Sequence, residues 1–126
     1  MRALQPPGWP RARGYAHGIE ATGRLVFTAG QIGWGPDGGF PSSDLAGQVR
    51  QTLENVLAVL AEAGAGPEHV VRTRTYLTDA GDWEEVGRAH GQVFADIRPA
   101  STMIVVHGFL DPRWLVEMEA DAILPT

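Results

Sequence analysis

The sequence predicts an α+β protein, a mixed β-sheet with two helices packed on one face, and three observations carry that reading. Two segments place apolar residues at three- and four-residue steps, as an amphipathic helix requires. Several shorter segments alternate polar and apolar residues or are rich in β-branched side chains, as half-buried strands are. Gly-, Pro- and Asp-rich stretches punctuate these segments into the order strand, strand, helix, strand, helix, strand, strand, which must fold as helices covering one side of a sheet. With 126 residues, 44% of them hydrophobic, the chain is long enough for one sizeable core and too short for two ordinary domains. The expected organisation is a single domain over residues 1–126, with residues 1–14 as a Pro-rich arm.

Gln5-Pro6-Pro7-Gly8-Trp9-Pro10 cannot join a helix or an inner strand, because each proline lacks a donor and restricts its predecessor. Residues 15–20 and 24–29 flank Ala21-Thr22-Gly23 and read as a hairpin with a glycine-bearing turn. A turn-rich loop, Gly35-Pro36-Asp37-Gly38-Gly39, follows Trp34. A first helix is expected from Ser43 or Asp44, either of which can cap it, to about Ala63. Leu45, Val49, Leu53, Val56, Leu57 and Leu60 form its buried stripe, Gln48, Arg50, Gln51 and Glu54 point elsewhere, and Gly64 ends it. Residues 69–77 read as a strand with Val71, Thr73, Thr75 and Leu77 on one face and Val70, Arg72, Arg74 and Tyr76 on the other. Asp82-Trp83-Glu84-Glu85 has the spacing of a capping box, and Trp83, Val86, His90, Val93 and Phe94 make a second helical stripe. Strands over 102–107 and 115–123 complete the chain.

Two helices cover one sheet face only, so the other, expected to bear Val70, Met103 and Val105, favours self-association. Ten Lys and Arg against fifteen Asp and Glu give a net charge of -5, the wrong sign for gathering a polyanion, so no nucleic-acid partner is expected. The basic N-terminal segment lacks the apolar run of a signal peptide, and no stretch approaches the about 18 apolar residues of a membrane span. A cytoplasmic location without a membrane partner is the expectation.

Candidate chemistry is sparse. With no cysteine, thiolate nucleophiles and Cys-based zinc sites are excluded. The histidines at 17, 69, 90 and 107 show no metal-ligand spacing, no elbow motif surrounds Ser42, Ser43 or Ser101, and the glycines of 33–39 lack the Lys-Ser/Thr of a phosphate loop. Neither metal nor cofactor is expected. Glu117, Glu119 and Asp121 alternate with Val116, Met118, Ala120 and Ala122, which places all three carboxylates on the face away from the helices. They serve either as a solvated face, with Arg72 and Arg74 as ion-pair partners, or as a cleft carboxylate whose pKa desolvation raises toward acid/base work.

Tyr15-Ala16-His17-Gly18, Leu25-Val26-Phe27-Thr28-Ala29-Gly30-Gln31-Ile32, Gln48-Val49-Arg50-Gln51-Thr52-Leu53-Glu54-Asn55-Val56, Ala63-Gly64, Val70-Val71-Arg72-Thr73, Pro99-Ala100 and Val116-Glu117-Met118-Glu119-Ala120 occur in an order and spacing that resemble the Rid (reactive intermediate deaminase), or YjgF, family from about Tyr15 onward. The resemblance implies a chorismate-mutase-like fold, a homotrimer whose open sheet faces form a central barrel, and small-molecule clefts between subunits. It also implies cofactor-free hydrolysis of enamine and imine intermediates to a keto compound and ammonia.

By the same resemblance Glu117 positions the attacking water, and Tyr15, Ala29, Gly30, Gln31, Gly87, Ser101 and Met103 line the substrate site. Three positions depart from the family pattern. Ser101 stands where an arginine binds the substrate carboxylate, Ala29 where a serine precedes Gly-Gln, and Gly87 where an asparagine is usual. A neutral serine cannot replace a guanidinium fork. Two accounts follow: a deaminase for a non-standard imine, its carboxylate absent or bound by another basic residue such as Arg74, or a non-catalytic trimer binding a small apolar or aromatic metabolite in a cleft lined by Tyr15, Trp34 and Met103.

Overall fold

The computed structural model describes residues 1–35, 37–40 and 42–126. Pro36, which the sequence places in a turn-rich loop, lies outside the described residues. Among the described residues six strands and two α-helices run in the order β1 (Arg2–Leu4), β2 (Gly18–Glu20), β3 (Arg24–Phe27), α1 (Leu45–Glu62), β4 (Val70–Leu77), α2 (Trp83–Phe94), β5 (Ala100–Val105) and β6 (Val116–Leu124). Strands β3-β6-β4-β5 form a mixed sheet in which β4 and β5 are parallel and the other neighbours antiparallel. Among the described residues no helix is long and apolar enough to cross a membrane.

The core lies between this sheet and the helices. Val49, Leu53, Val56 and Leu60 of α1 and Val86 and Phe94 of α2 pack on Val70, Leu77, Val116, Met118, Ala120, Ala122 and Leu124. Each fully buried aliphatic side chain contributes about 1.5–3 kcal/mol of transfer free energy. Asp44 caps α1 by accepting from Gly47 N–H at 2.8 Å, and Gly64, at φ 78, ends it while Ala65 N–H donates to Leu60 O at 3.0 Å.

Several expectations are corrected. The hairpin of residues 15–20 and 24–29 does not form, since β2 pairs with β1 (Ala3 opposite Ile19) and β3 pairs with β6 (Val26 opposite Ala122). Gly23 serves a close approach instead, because a Cβ there would overlap Leu124 O. Val70 is buried in the core, not on the open face, because a bulge between Val70 and Arg72 inverts the alternation at that point. Met103 and Val105 stand opposite Thr75 and Leu77, on the helix side of edge strand β5. The open face bears Leu25, Phe27 and Ile104, which are 62%, 64% and 45% exposed. Asp82 makes no side-chain cap; Asp79 accepts from Gly81 N–H in a preceding 3-10 turn.

Gln48 is fully buried, against the polar-face expectation. Its Nε2 donates to Arg113 O at 2.9 Å and its Oε1 accepts from Leu115 N–H at 2.8 Å, so one side chain fastens the segment entering β6 to α1. Replacing Gln48 with Leu keeps the volume and strands both backbone groups. Gln48→Leu is expected to lower stability by about 2–4 kcal/mol, read from urea unfolding at fixed protein concentration.

Candidate functional site

Strand β3 does not end cleanly at Phe27. Thr28 N–H donates to Ala120 O (2.9 Å) and Thr28 Oγ1 accepts from Ala120 N–H (3.0 Å). Gln31 and Met118 then exchange backbone bonds of 2.7 and 2.9 Å. From Phe27 to Gln31 the chain advances four residues while its partner runs only three, from Asp121 to Met118. The extra residue makes a bulge over 28–30, and the bulge brings Gly30 against Glu117. A Cβ at Gly30 would overlap Glu117 Oε2, so only glycine leaves the carboxylate where it lies. Gln31 Nε2 turns back to Ala29 O at 3.3 Å, and Asn55 holds the continuing loop by donating to Ile32 O and Trp34 O at 2.8 and 2.7 Å.

The three carboxylates of β6 point away from the helices, as alternation requires. Arg74 lies near Glu119 (3.4 Å) and Asp121 (3.5 Å), and Tyr76 OH donates to Glu119 at 2.8 Å, which raises the tyrosine's pKa. Among the described residues Glu117 has no hydrogen-bond or ion-pair partner. Partial burial, reinforced by the negative charge of Glu119, raises its carboxyl above the ordinary range. Arg74 belongs to this acidic cluster on the open face and does not line the cleft beside Ser101 of its own chain.

Tyr15, Gly87, Ser101 and Met103 form a second group. Ala16 bridges Ala100 in parallel, with Ala16 N–H donating to Pro99 O at 3.1 Å, and this runs the arm along the free edge of β5 and sets Tyr15 beside Ser101. The resulting cleft of about 290 Å³ is closed by Arg13, Gly14, Trp83, His90 and Gly91, all outside the sequence expectation. Trp34 is not in it; its ring packs on Trp114 edge to face, centroids 6.4 Å apart. On α2, Trp83, Gly87, His90 and Gly91 follow the four- and three-residue steps of one helix face, a signal legible in the sequence once Gly87 is placed. A Cβ at Gly87 or Gly91 meets nothing within 4 Å, so the helix gives up about 1 kcal/mol of propensity per glycine where ordinary side chains would fit.

Ser101 is not isolated. It stands opposite Thr73, whose Oγ1 donates to Ser101 Oγ at 3.1 Å and lies 2.8 Å from His90 Nε2. Burial lowers the His90 pKa to about 4, so a neutral ring with its hydrogen on Nε2 completes a chain from His90 through Thr73 to Ser101, whose own hydrogen is then free for a ligand. No sequence spacing signals this chain; pairing of β4 with β5 assembles it.

The eight sequence-predicted residues thus fall into two sets: Ala29, Gly30, Gln31 and Glu117 around the bulge, with Glu117 on the open face, and Tyr15, Gly87, Ser101 and Met103 around a cleft on the helix side beyond β4. Neither set holds both a carboxylate and a ligand cleft. Among the described residues no group of three or more His, Cys, Asp or Glu converges as for a metal.

A two-helix mixed sheet with a last-strand carboxylate over a bulge defines an architecture that matches known proteins. A family model described as Endoribonuclease L-PSP matches residues 9–124, and the chain belongs to that family, also called YjgF or Rid. A RutC family protein of Synechocystis is 36% identical over 129 residues, covering 100% of this chain and 98% of its own. The 2-iminobutanoate/2-iminopropanoate deaminase of Escherichia coli is 33% identical over 112 residues, 86% of each chain. The crystal structure of a Rid family protein of unknown function from Yersinia pestis superposes with a TM-score of 0.89 at 32% identity, covering 98% of both chains.

His90 makes stability pH-dependent. Its folded pKa of about 4 lies below the unfolded value of 6.5, so the unfolded chain alone takes up a proton between them. The contribution is complete above pH 6.5 and is lost as pH falls toward 4, by roughly 3 kcal/mol. Urea midpoints should therefore fall more steeply over that window for the wild type than for His90→Gln.

Proposed function

We propose that this chain is an enamine/imine deaminase that works as a homotrimer, each site completed where the Glu117 half of one subunit meets the Tyr15–Ser101 cleft of another. The observation that carries the reading is the division just described: one chain holds two incomplete halves on opposite sheet faces. The exposed Leu25, Phe27 and Ile104 on the open face support its packing into a central barrel against further copies.

In the reaction, the substrate reacts as the protonated imine, and the Glu117 carboxylate takes a proton from a water as the oxygen attacks the iminium carbon, giving a neutral carbinolamine. Glu117 then returns that proton to the nitrogen, the C–N bond breaks with release of ammonia, and the hydroxyl proton passes to the regenerated carboxylate as the carbonyl forms. An enamine first takes a proton from solvent on its β-carbon, which gives the same protonated imine. The residues use neither metal nor cofactor. A carboxyl with a raised pKa and no bound partner suits this shuttle, since it is basic enough to accept the proton and free to move it. The relatives named as 2-iminobutanoate/2-iminopropanoate deaminases support the reaction class. Net charge -5 supports a small-molecule substrate over a nucleic acid. Ser101 in place of an arginine favours a second reading, a non-catalytic trimer that binds a small metabolite.

Imines generated from a panel of L-amino acids by an amino-acid oxidase, with semicarbazide as the competing trap, decide between the two. Deaminase action appears as faster keto-acid release, lowered about 100-fold or more in Glu117→Gln. Because Glu117 must be ionised to act, kcat/KM should fall on the acid side with a midpoint above the ordinary glutamate value of 4.5. Absence of acceleration across the whole panel would leave the binding reading.

A further inference from the structure

We propose that the cleft takes a 2-imino acid with a bulky aromatic side chain, the ring lying over Gly87 and Gly91 between Tyr15 and Trp83, and the carboxylate held by Arg13. The imine part of this statement rests on the proposed function; the ring and carboxylate sites rest on the cleft itself.

Two helical glycines one turn apart open the same wall, and neither has anything within 4 Å where a side chain would begin. The aromatic rings flanking that space remain accessible, Trp83 at 59% and Tyr15 at 39%. An alanine-derived imine would leave both rings wet, whereas a phenyl or indole ring covers them and gains offset or edge-on contacts. Met103 adds a polarizable side chain to the same lining.

Among the described residues of one chain, Arg13 is the arginine that lines the cleft and can hold the carboxylate. It also lines the adjoining depression with Arg11 and Arg98. Among the described residues none of these three arginines takes part in an ion pair, while Arg74 is held by Glu119 and Asp121 on the opposite face. Arg98 is anchored through Nε to Tyr15 O at 3.2 Å, which steadies the arm next to Arg13. A guanidinium at the mouth accepts a carboxylate as a two-point fork, and Ser101 Oγ–H, backed by Thr73 and His90, supplies a neutral third donor. The charge absent at position 101 thus enters from the arm.

Calorimetric titration with stable keto acids reads the cleft without catalysis. Phenylpyruvate is expected to bind at least tenfold more tightly than pyruvate, and Arg13→Gln to weaken phenylpyruvate at least tenfold while leaving phenylacetone, which lacks the carboxylate, within twofold. Gly91→Leu, at an open helical position where leucine is the better helix former, should abolish the preference for phenylpyruvate, with unchanged circular dichroism as the folding control. Equal binding of the two keto acids, or an Arg13→Gln protein that binds phenylpyruvate like the wild type, overturns the proposal. The two readings fail separately. Phenylpyruvate binding as expected with no imine accelerated would uphold the cleft and sink the deaminase. Glu117-dependent turnover confined to small imines would do the reverse.

Discussion

The strict alternation of β6 is the constraint on which the rest depends. Lying between β3 and β4, it must be apolar on the side facing the helices, and Val116, Met118, Ala120, Ala122 and Leu124 meet that demand without exception. Period two then leaves Glu117, Glu119 and Asp121 no freedom of side: a shift of one residue would bury three carboxylates and expose five core residues, so hydrophobic burial fixes the register. The placement of the candidate catalytic carboxylate is a by-product of core packing.

Within that acidic row, the division of roles follows from what lies opposite. Glu119 stands across from Arg74 and Asp121 from Arg72, and Arg74 reaches both acids; Tyr76, opposite Glu117, gives its hydroxyl to Glu119 instead. Glu117 has no such partner among the described residues, and partial burial, with the charge of Glu119 beside it, disfavours its ionisation. One acid keeps the ladder in place and the other is left with a raised pKa over a glycine bulge. Environment alone separates two identical side chains.

Buried and half-buried polar side chains do the corresponding work for the loops. Gln48 and Asn55, both on α1, hold the segments before β6 and after the bulge through backbone atoms, and Thr28 joins the bulge to Ala120. Such bonds stabilise modestly when made and cost more when one partner is lost, so they specify loop geometry more than they raise stability. The His90–Thr73–Ser101 chain is the same device turned toward a cleft.

The sequence by itself determined what depends on local periodicity. Both helices, the caps at Asp44 and Gly64, the outward face of Glu117 and the family were legible in it, because apolar spacing and motif order survive without knowledge of neighbours. Only the tertiary structure decided which strands pair. Local turn residues could not reveal that Gly23 ends no hairpin, that a bulge buries Val70, or that β5 turns Met103 and Val105 to the helix side. Nor could they place Arg13, Trp83 and His90 around Ser101 and move Arg74 away from it. These contacts join residues tens of positions apart, and their energy comes from packing and pairing across the sheet, which no window along the chain contains.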